Sequence, residues 1–315
     1  MTREIMKIAM VFPGQGSQSV GMMAGFDAHP AIRETFDEAS AVLGQDLWAL
    51  VTAGPESDLN QTVNTQPAML TSGVAVWRAW RAAGGPVPAV VAGHSLGEYS
   101  ALVAGGALTF EDALPLVRFR AQAMQEAVPA GVGAMAAILG LDAATVAAAC
   151  REAGGAQVVE PVNFNGPEQI VIAGHKEAVE RAIAIATERG AKRGLLLPVS
   201  APFHSSLLEP AAQRLAARLS GVTFNAPAIP VLHNVDVAEA PTAEAIRNAL
   251  AQQAASPVRW VEIIEAFAAR GVTHVIECGP GRVLTGLNKR IVRELKSFAL
   301  TDGADLDAAR AAVAG

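Results

Sequence analysis

The chain has 315 residues, of which 51% are hydrophobic and 17% are charged, and its formal net charge is −6. A chain of this length and composition can bury a large core, and we expect one large domain with a smaller inserted or appended unit. The negative net charge argues against a nucleic-acid-binding protein, and two cysteines far apart in sequence exclude a disulfide-stapled class.

The amino-terminal segment lacks the pattern of a secretory signal. Its apolar run, residues 8–12, is too short, and no small-residue cleavage site follows it. No window in the chain reaches the roughly 18 uninterrupted apolar residues of a membrane span. We therefore expect a soluble cytoplasmic protein that does not bind a membrane.

In chain order, the first predicted element is a buried strand over 7–12, which ends at a Pro-Gly turn. A helix is predicted over 66–82, a strand over 87–92, a helix that starts at 98, and a helix over 109–127. Later strands are predicted over 229–232 and 274–278, and a helix over 260–270. Alternating strands and helices indicate a parallel sheet that is covered on both faces.

Residues 131–199 form a unit with a different order of elements. Two strands flank the turn at 165–167, helices precede and follow this pair, and strands over 133–140 and 194–200 begin and end the unit. The resulting order βαββαβ is the ferredoxin-like arrangement. The sequence therefore predicts a discontinuous large α/β domain, 1–130 and 200–315, with a small domain at 131–199.

The sequence GHSLG at 93–97 fits the pattern G-x-S-x-G at the junction of a predicted strand and a predicted helix. A tight turn at this junction forces the serine side chain outward, and flanking glycines avoid clashes with neighbouring backbone. The amide of Leu96 can then face a developing oxyanion. The pattern alone is weak, but this context favours Ser95 as a nucleophile over a buried turn serine.

A serine nucleophile needs a base, and the chain has six histidines. His204 and His233 both follow predicted strands, where open α/β sheets place their sites. Sequence spacing alone does not choose between these two. The remaining histidines, at helix starts, beside the serine or inside a strand, suit surface, capping or core roles: His29, His175, His94 and His274.

Arg120 lies on an apolar stripe of the predicted helix over 109–127. The stripe consists of Ala113, Leu116, Val117 and Met124. A buried guanidinium is costly unless an anion pairs with it. Arg120 therefore meets either a protein carboxylate or a substrate carboxylate, for which the guanidinium fork is suited.

No cofactor motif is complete. The turns Gly14-Gln15-Gly16 and Gly279-Pro280-Gly281 each lack the last glycine of G-x-G-x-x-G. The chain contains no GxxxxGK[ST], HExxH or CxxC pattern. We therefore expect no metal and no nucleotide cofactor.

Taken together, several segments resemble one family closely, the malonyl-CoA:acyl carrier protein transacylases, which are acyltransferases of fatty acid and polyketide synthesis. The likeness extends over essentially the whole chain. The matching segments are FPGQGSQ (12–18), GHSLGEYSALVAGG (93–106), RFRAQAMQEAVP (118–129), VNFNGPEQIVIAG (162–174), PFHS (202–205), LHNVD (232–236), QAASPVRW (253–260) and IECGPGRVLTGLNKR (276–290).

The resemblance implies an α/β-hydrolase-like large domain with the ferredoxin-like insertion. It implies that Ser95 is the nucleophile and that His204, not His233, is its base. It further implies that the amides of Gln15 and Leu96 form the oxyanion hole and that Arg120 binds the malonyl carboxylate.

The resemblance also implies that backbone carbonyls, and not a carboxylate, orient the histidine. Gln253 and Asn234 are the expected sources of these carbonyls, and Asn163 is expected to line the pantetheine channel. Phe203, directly before His204, is associated in the family with malonyl rather than methylmalonyl groups.

The implied activity is a ping-pong transfer of malonyl from coenzyme A, through a Ser95 ester, to the phosphopantetheine thiol of holo acyl carrier protein in fatty acid biosynthesis. Coenzyme A is then a substrate, no cofactor is tightly bound, and we expect a monomer. The alternatives are a free-standing acyltransferase of a polyketide synthase, a serine esterase or thioesterase, and a silent scaffold that binds the carrier.

Acyl carrier proteins are acidic, as this chain is, so docking requires a local basic patch. The segment 288–296 offers Lys289, Arg290 and Arg293, together with Lys296, and Lys192-Arg193 is a second candidate. An ordinary solvated helix face is the alternative for these cations.

Overall fold

The computed structural model describes residues 6–199 and 201–314. The strands are β1 (Ile8–Phe12), β2 (Val90–Gly93), β3 (Gly133–Leu139), β4 (Val159–Gly166), β5 (Gln169–His175), β6 (Arg193–Leu196), β7 (Val231–Leu232), β8 (His274–Cys278) and β9 (Lys296–Leu300). The helices are α1 (Pro30–Leu43), α2 (Leu47–Ala53), α3 (Glu56–Leu59), α4 (Thr62–Ala82), α5 (Gly97–Ala104), α6 (Phe110–Glu126), α7 (Ala143–Gly154), α8 (Lys176–Glu188), α9 (Glu209–Leu219), α10 (Ala243–Gln253), α11 (Trp260–Ala269), α12 (Val283–Ile291) and α13 (Gly303–Val313).

Five strands form a parallel sheet in the order β7-β2-β1-β8-β9. All of β1 is buried, because helices cover both faces of the sheet. Met10 and Phe12 pack into one hydrophobic cluster, whereas Ala9 and Val11 pack into another on the opposite face. This confirms the predicted parallel sheet, and it places the carboxyl ends of β1 and β2 side by side.

The other four strands form an antiparallel sheet in the order β4-β5-β3-β6, with α7 and α8 between strands in the predicted βαββαβ sequence. Ala136 and Ile138 pack against the apolar faces of α7 and α8. Met135 lies on the opposite face of β3, because successive side chains of a strand alternate, and it packs with Met124 of α6 and with Phe203. One face of the small sheet therefore turns toward the large sheet and its strand ends. The division of the chain into domains at 131–199 stays a prediction.

The helix that carries Arg120 begins where the sequence predicts. The Thr109 hydroxyl oxygen accepts a hydrogen bond from the Asp112 amide at 3.1 Å, so Thr109 caps α6. The Asp112 carboxylate accepts from the Thr109 hydroxyl at 2.7 Å and not from a backbone amide. The cap fixes the register that turns Arg120 toward the interior.

The structure differs from the sequence prediction at the carboxyl-terminal end. The basic segment 288–296 is not one helix face, because α12 ends at Ile291 and Lys296 begins β9, an edge strand that the sequence did not reveal. The first residues of β9 are exposed or half-buried, so no continuous apolar run marks them. The predicted strand over 194–200 is shorter, and residues 1–5, 200 and 315 lie outside the described residues. Within the described residues, no helix is long and apolar enough to cross a bilayer.

Candidate active site

Ser95 lies on a sharp turn between β2 and α5, with a backbone φ of 51°. Positive φ is unfavourable for a residue with a side chain, so the surrounding structure has to impose it. A Cβ on Gly93 would lie 1.8 Å from the carbonyl carbon of Gly97, and a Cβ on Gly97 would lie 2.0 Å from Phe12 O. Glycine is therefore required at 93 for the turn to close on α5 and at 97 for the turn to pack against β1.

His204 is the histidine that reaches the serine, with Nε2 at 2.7 Å from Ser95 Oγ. Its Nδ1 lies 2.8 Å from the backbone oxygen of Gln253. Because a carbonyl only accepts, Nδ1 carries the proton and Nε2 is the unprotonated nitrogen that faces the hydroxyl. Burial, reinforced by the positive charge of Arg120, lowers the pKa of His204 to about 3. The imidazole is therefore neutral at ordinary pH.

The alternative base, His233, is engaged elsewhere. Its Nδ1 lies 2.7 Å from Glu98 Oε1, and both side chains are buried. The neighbouring carboxylate outweighs burial and raises the pKa of His233. His94 is turned away from Ser95, with Nε2 at 2.7 Å from Asn165 Oδ1. Tertiary structure thus brings His204 alone among these three to the serine hydroxyl.

Of the two carbonyls expected to orient His204, that of Gln253 faces Nδ1, whereas that of Asn234 has a different partner. That carbonyl accepts from the Arg259 amide at 3.2 Å. The Asn234 side chain instead holds the serine turn, because Oδ1 accepts from Ser95 N at 2.8 Å and Nδ2 donates to Gly93 O at 2.7 Å. The carbonyl of Gln253 orients the histidine, as expected, although its catalytic role stays a prediction.

Arg120 is 1% exposed and lies beside the nucleophile. Its Nη1 donates to Gln66 Oε1 at 2.9 Å, and its Nη2 donates to Gln253 Oε1 at 2.9 Å and to Ser95 Oγ at 3.2 Å. Across residues 6–199 and 201–314 no carboxylate forms an ion pair with Arg120. Burial lowers the pKa of this guanidinium. A buried, unpaired cation at this point suits an anionic ligand.

The loop that contains Gln15 lies directly against the serine turn. A Cβ on Gly14 would lie 2.5 Å from His94 O and 3.6 Å from Leu96 N, so only glycine permits this approach. The Gln15 side chain donates weakly to Thr62 Oγ1 at 3.4 Å, which holds the loop on α4. The loop therefore passes close to the Leu96 amide, and the role of the Gln15 and Leu96 amides as an oxyanion hole stays a prediction.

A cavity of about 180 Å³ opens onto these groups. Its floor contains Ser95, His204 and Arg120, and Asn163, which is 9% exposed, lines its wall from β4. Because it has room for several water molecules and opens onto the nucleophile, the cavity suits a short acyl group. The described residues contain no cluster of His, Cys, Asp or Glu that could hold a metal ion.

The basic residues proposed for docking do not share one surface. Arg290 and Arg293 line a groove with Lys192 and the β4–β5 turn, and Arg290 Nη1 donates to Gln169 Oε1 at 2.8 Å. Lys289 lines a different depression beside β9. Among the docking candidates, Arg290, Arg293 and Lys192 thus line one basic groove, in which Lys192 also pairs with Glu168 at 3.4 Å.

Two residues of the site escaped the sequence analysis. Gln66 begins a largely buried stretch of α4, and Glu98 is wholly buried on α5. A polar side chain inside an apolar helical segment is the only local signal for either. Their contacts arise from segments far away in the chain.

Comparisons with known proteins agree on one family. The acyl transferase domain model matches residues 9–315. A malonyl CoA-acyl carrier protein transacylase of Salmonella typhimurium is 58% identical over 304 residues, which cover 96% of this chain and 98% of the relative.

Solved structures show the same likeness. An acyl-carrier-protein S-malonyltransferase from Burkholderia pseudomallei is 61% identical with a TM-score of 0.96, and the match covers 97% of this chain and all (100%) of that one. A malonyl-transacylase solved in complex with its type II PKS acyl-carrier protein is 54% identical with a TM-score of 0.96, over 97% of this chain and 99% of that chain.

Proposed function

The chain belongs to the acyl transferase domain family, and from this premise we propose that it transfers malonyl groups from coenzyme A to acyl carrier protein. The enzyme is an acyltransferase. The observation that carries the malonyl assignment is the position of Arg120. Its buried guanidinium lies 3.2 Å from Ser95 Oγ and forms no ion pair with a carboxylate in the described part of the chain. The free carboxylate of a malonyl group supplies the missing anion.

Fatty acid biosynthesis is the pathway that we propose for this activity. The relative solved with a type II PKS carrier is 54% identical, so supply of a polyketide synthase is the alternative. The cytoplasmic location and the monomeric state stay predictions.

The first half-reaction forms an ester on Ser95. His204 Nε2, at 2.7 Å from the hydroxyl, takes its proton as the oxygen attacks the malonyl thioester carbonyl. The amides of Gln15 and Leu96 stabilise the tetrahedral oxyanion, and loss of one such donor typically costs about 100- to 1,000-fold in rate. The Gln253 carbonyl stabilises the imidazolium through Nδ1. Coenzyme A leaves as the thiol after it receives the proton from His204.

The second half-reaction repeats these steps in reverse order. The phosphopantetheine thiol of the carrier gives its proton to His204 and its sulfur attacks the ester carbonyl. The bond from Ser95 Oγ to the acyl carbon breaks, His204 returns the proton to Oγ, and the malonyl thioester leaves. Asn163 lines the channel for the pantetheine arm. No bound cofactor enters either step. A serine esterase would use water as acceptor and gives no role to Arg120.

Intact-protein mass spectrometry after brief mixing with malonyl-CoA tests the function. We expect one added malonyl group on the wild type, none on Ser95→Ala, and removal of the adduct by holo acyl carrier protein. Acetyl-CoA should label the wild type far less. If coenzyme A is released but neither Ser95 nor the carrier becomes acylated, the protein is a hydrolase and the transferase assignment is wrong. If no reaction occurs at all, the protein is a scaffold.

Charge reversal of the basic groove is expected to weaken the carrier half-reaction alone. In the double variant Arg290→Glu/Arg293→Glu, the KM for holo acyl carrier protein should rise about tenfold, because rim charges steer an acidic partner. The rate of Ser95 acylation by malonyl-CoA should not change.

The matched control is Arg33→Glu/Arg310→Glu, which alters net charge equally at exposed ion pairs with Asp37 and Asp307. Steady-state assays with varied carrier concentration provide the measurement. An unchanged KM in the groove variant, or an equal rise in the control, would contradict docking at Arg290 and Arg293.

A further inference from the structure

A buried carboxylate lies directly beneath the serine turn, and the mechanism above gives it no role. Glu98, three residues after Ser95 on the first turn of α5, is 0% exposed. Its oxygens accept from His233 Nδ1 at 2.7 Å, from the Asn234 amide at 2.9 Å and from Gln253 Nε2 at 3.0 Å. These donors satisfy a charge that would otherwise be costly to bury.

The Gln253 side chain connects this carboxylate to the arginine. Its Nε2 donates both to Glu98 and to Ser95 O, the latter at 2.9 Å, while its Oε1 accepts from Arg120 Nη2 at 2.9 Å. A carbonyl and an ionised carboxylate can only accept hydrogen bonds. The NH2 end of the amide therefore has to face Glu98 and Ser95, and the oxygen end has to face Arg120.

The opposite orientation of this amide would place its NH2 group against the guanidinium, donor against donor. The other hydrogen bonds of Arg120 go to Gln66 Oε1 at 2.9 Å and to Ser95 Oγ at 3.2 Å. Loss of the Gln253 contact would therefore leave Nη2 with the longer contact to the Ser95 hydroxyl. The backbone carbonyl of Gln253 would still hold His204.

We propose that Glu98 is a positioning residue for substrate selectivity: its carboxylate fixes the orientation of the Gln253 amide, whose oxygen anchors Arg120 for the substrate carboxylate. The proposal rests on the proposed malonyl transfer. Gln253 then has two separate functions: its backbone carbonyl orients His204, and its side-chain amide anchors Arg120. Glu98 thus acts through the arginine that recognises malonyl, and it does not touch the reacting atoms at Ser95.

The test is Glu98→Gln, which keeps the shape of the side chain but removes the charge and adds a donor. We expect the ratio of the malonyl to the acetyl kcat/KM for acylation of Ser95 to fall about tenfold or more. The reason is loss of the hydrogen bond between the Arg120 guanidinium and Gln253 Oε1. The acetyl rate should change less than about threefold. Rapid-quench intact mass spectrometry measures both rates, and an equal fall in the two would contradict the proposal.

A double-variant comparison shows whether the effect passes through Arg120. In the Arg120→Ala background, Glu98→Gln should leave the selectivity ratio within about twofold, because residues in one network are not additive. A further drop of the same size as in the wild-type background would overturn the proposal. The matched control is Glu277→Gln, another buried carboxylate, which accepts from the Leu284 and Thr285 amides. It should lower thermal stability without changing selectivity.

Gln253→Met is the second test variant, to be used if Glu98→Gln does not fold. It keeps the carbonyl that holds His204 and removes only the amide, so selectivity should fall as for Glu98→Gln. Unchanged selectivity in Gln253→Met would overturn the proposal. Wild-type protein without a malonyl adduct would refute the proposed function, whereas a labelled wild type with unaltered selectivity in the variants would refute only the role of Glu98.

Discussion

His204→Ala is expected to slow the acylation of Ser95 by malonyl-CoA about 100- to 10,000-fold, the usual contribution of a positioned general base. The imidazole touches the serine hydroxyl at 2.7 Å, and no other described histidine of the site reaches it. Rapid-quench mass spectrometry of the Ser95 ester measures the rate. An unchanged thermal unfolding midpoint would show that the loss is catalytic.

The pH profile gives an independent check on the same residue. Since burial and Arg120 lower the pKa of His204 to about 3, the base is neutral above that pH, and the wild-type rate should be nearly flat from about pH 5 to about pH 8. An imidazole with the ordinary pKa of about 6.5 would lose about 30-fold at pH 5. The His204→Ala rate should instead rise with pH as hydroxide replaces the base. A wild-type rate that decreases as the pH is lowered from about 6.5 to about 5 would contradict a neutral, buried His204.

Arg120→Ala is expected to lower malonyl acylation of Ser95 about a hundredfold or more, because removal of one partner of a buried ion pair typically costs about 3–5 kcal/mol. Acylation by acetyl-CoA should survive, since a neutral group needs no counter-charge. The preference for malonyl over acetyl should therefore collapse. Competition between the two thioesters, followed by mass spectrometry of the protein, measures the preference.

Arg118→Ala is the matched control, because it removes the same side chain two positions away on α6. Arg118 donates to Leu43 O at 3.1 Å and to Gln45, away from the cavity. Its removal should leave malonyl preference unchanged. Full malonyl selectivity in Arg120→Ala, or an equal loss in Arg118→Ala, would show that the arginine assignment is wrong. Because Arg120 lowers the pKa of His204, Arg120→Ala should also shift the acidic limb of the profile to higher pH.

Local features of the site were readable from the sequence because neighbouring residues produce them. Glycines at 93 and 97 make the serine turn possible, and the apolar stripe of α6 places Arg120 inside. Alternation of strands and helices predicted the parallel sheet, and the order of elements predicted the small sheet. The edge strand β9 escaped detection, since its exposed side chains carry no apolar run.

Contacts between distant segments were not readable in this way. His204 and His233 follow strands equally well, and only the packing of the chain places His204 Nε2 on a hydroxyl 109 residues away while His233 binds Glu98. The same holds for Asn234, which was expected to offer its carbonyl to the histidine and instead clamps the serine turn with its side chain.

The sequence by itself thus determined the serine turn, the buried arginine, the parallel character of the large sheet and the βαββαβ order of the small unit, because each depends on spacing within an element or on the order of elements along the chain. The tertiary structure decided which histidine is the base candidate. It also decided that, within the described residues, Arg120 bonds to two amide oxygens and the Ser95 hydroxyl and forms no ion pair, and that Gln253 joins the serine, the histidine, the arginine and Glu98. These contacts depend on distances of a few ångströms between residues 25 to 158 positions apart in the chain. Side-chain periodicity carries no information about such distances.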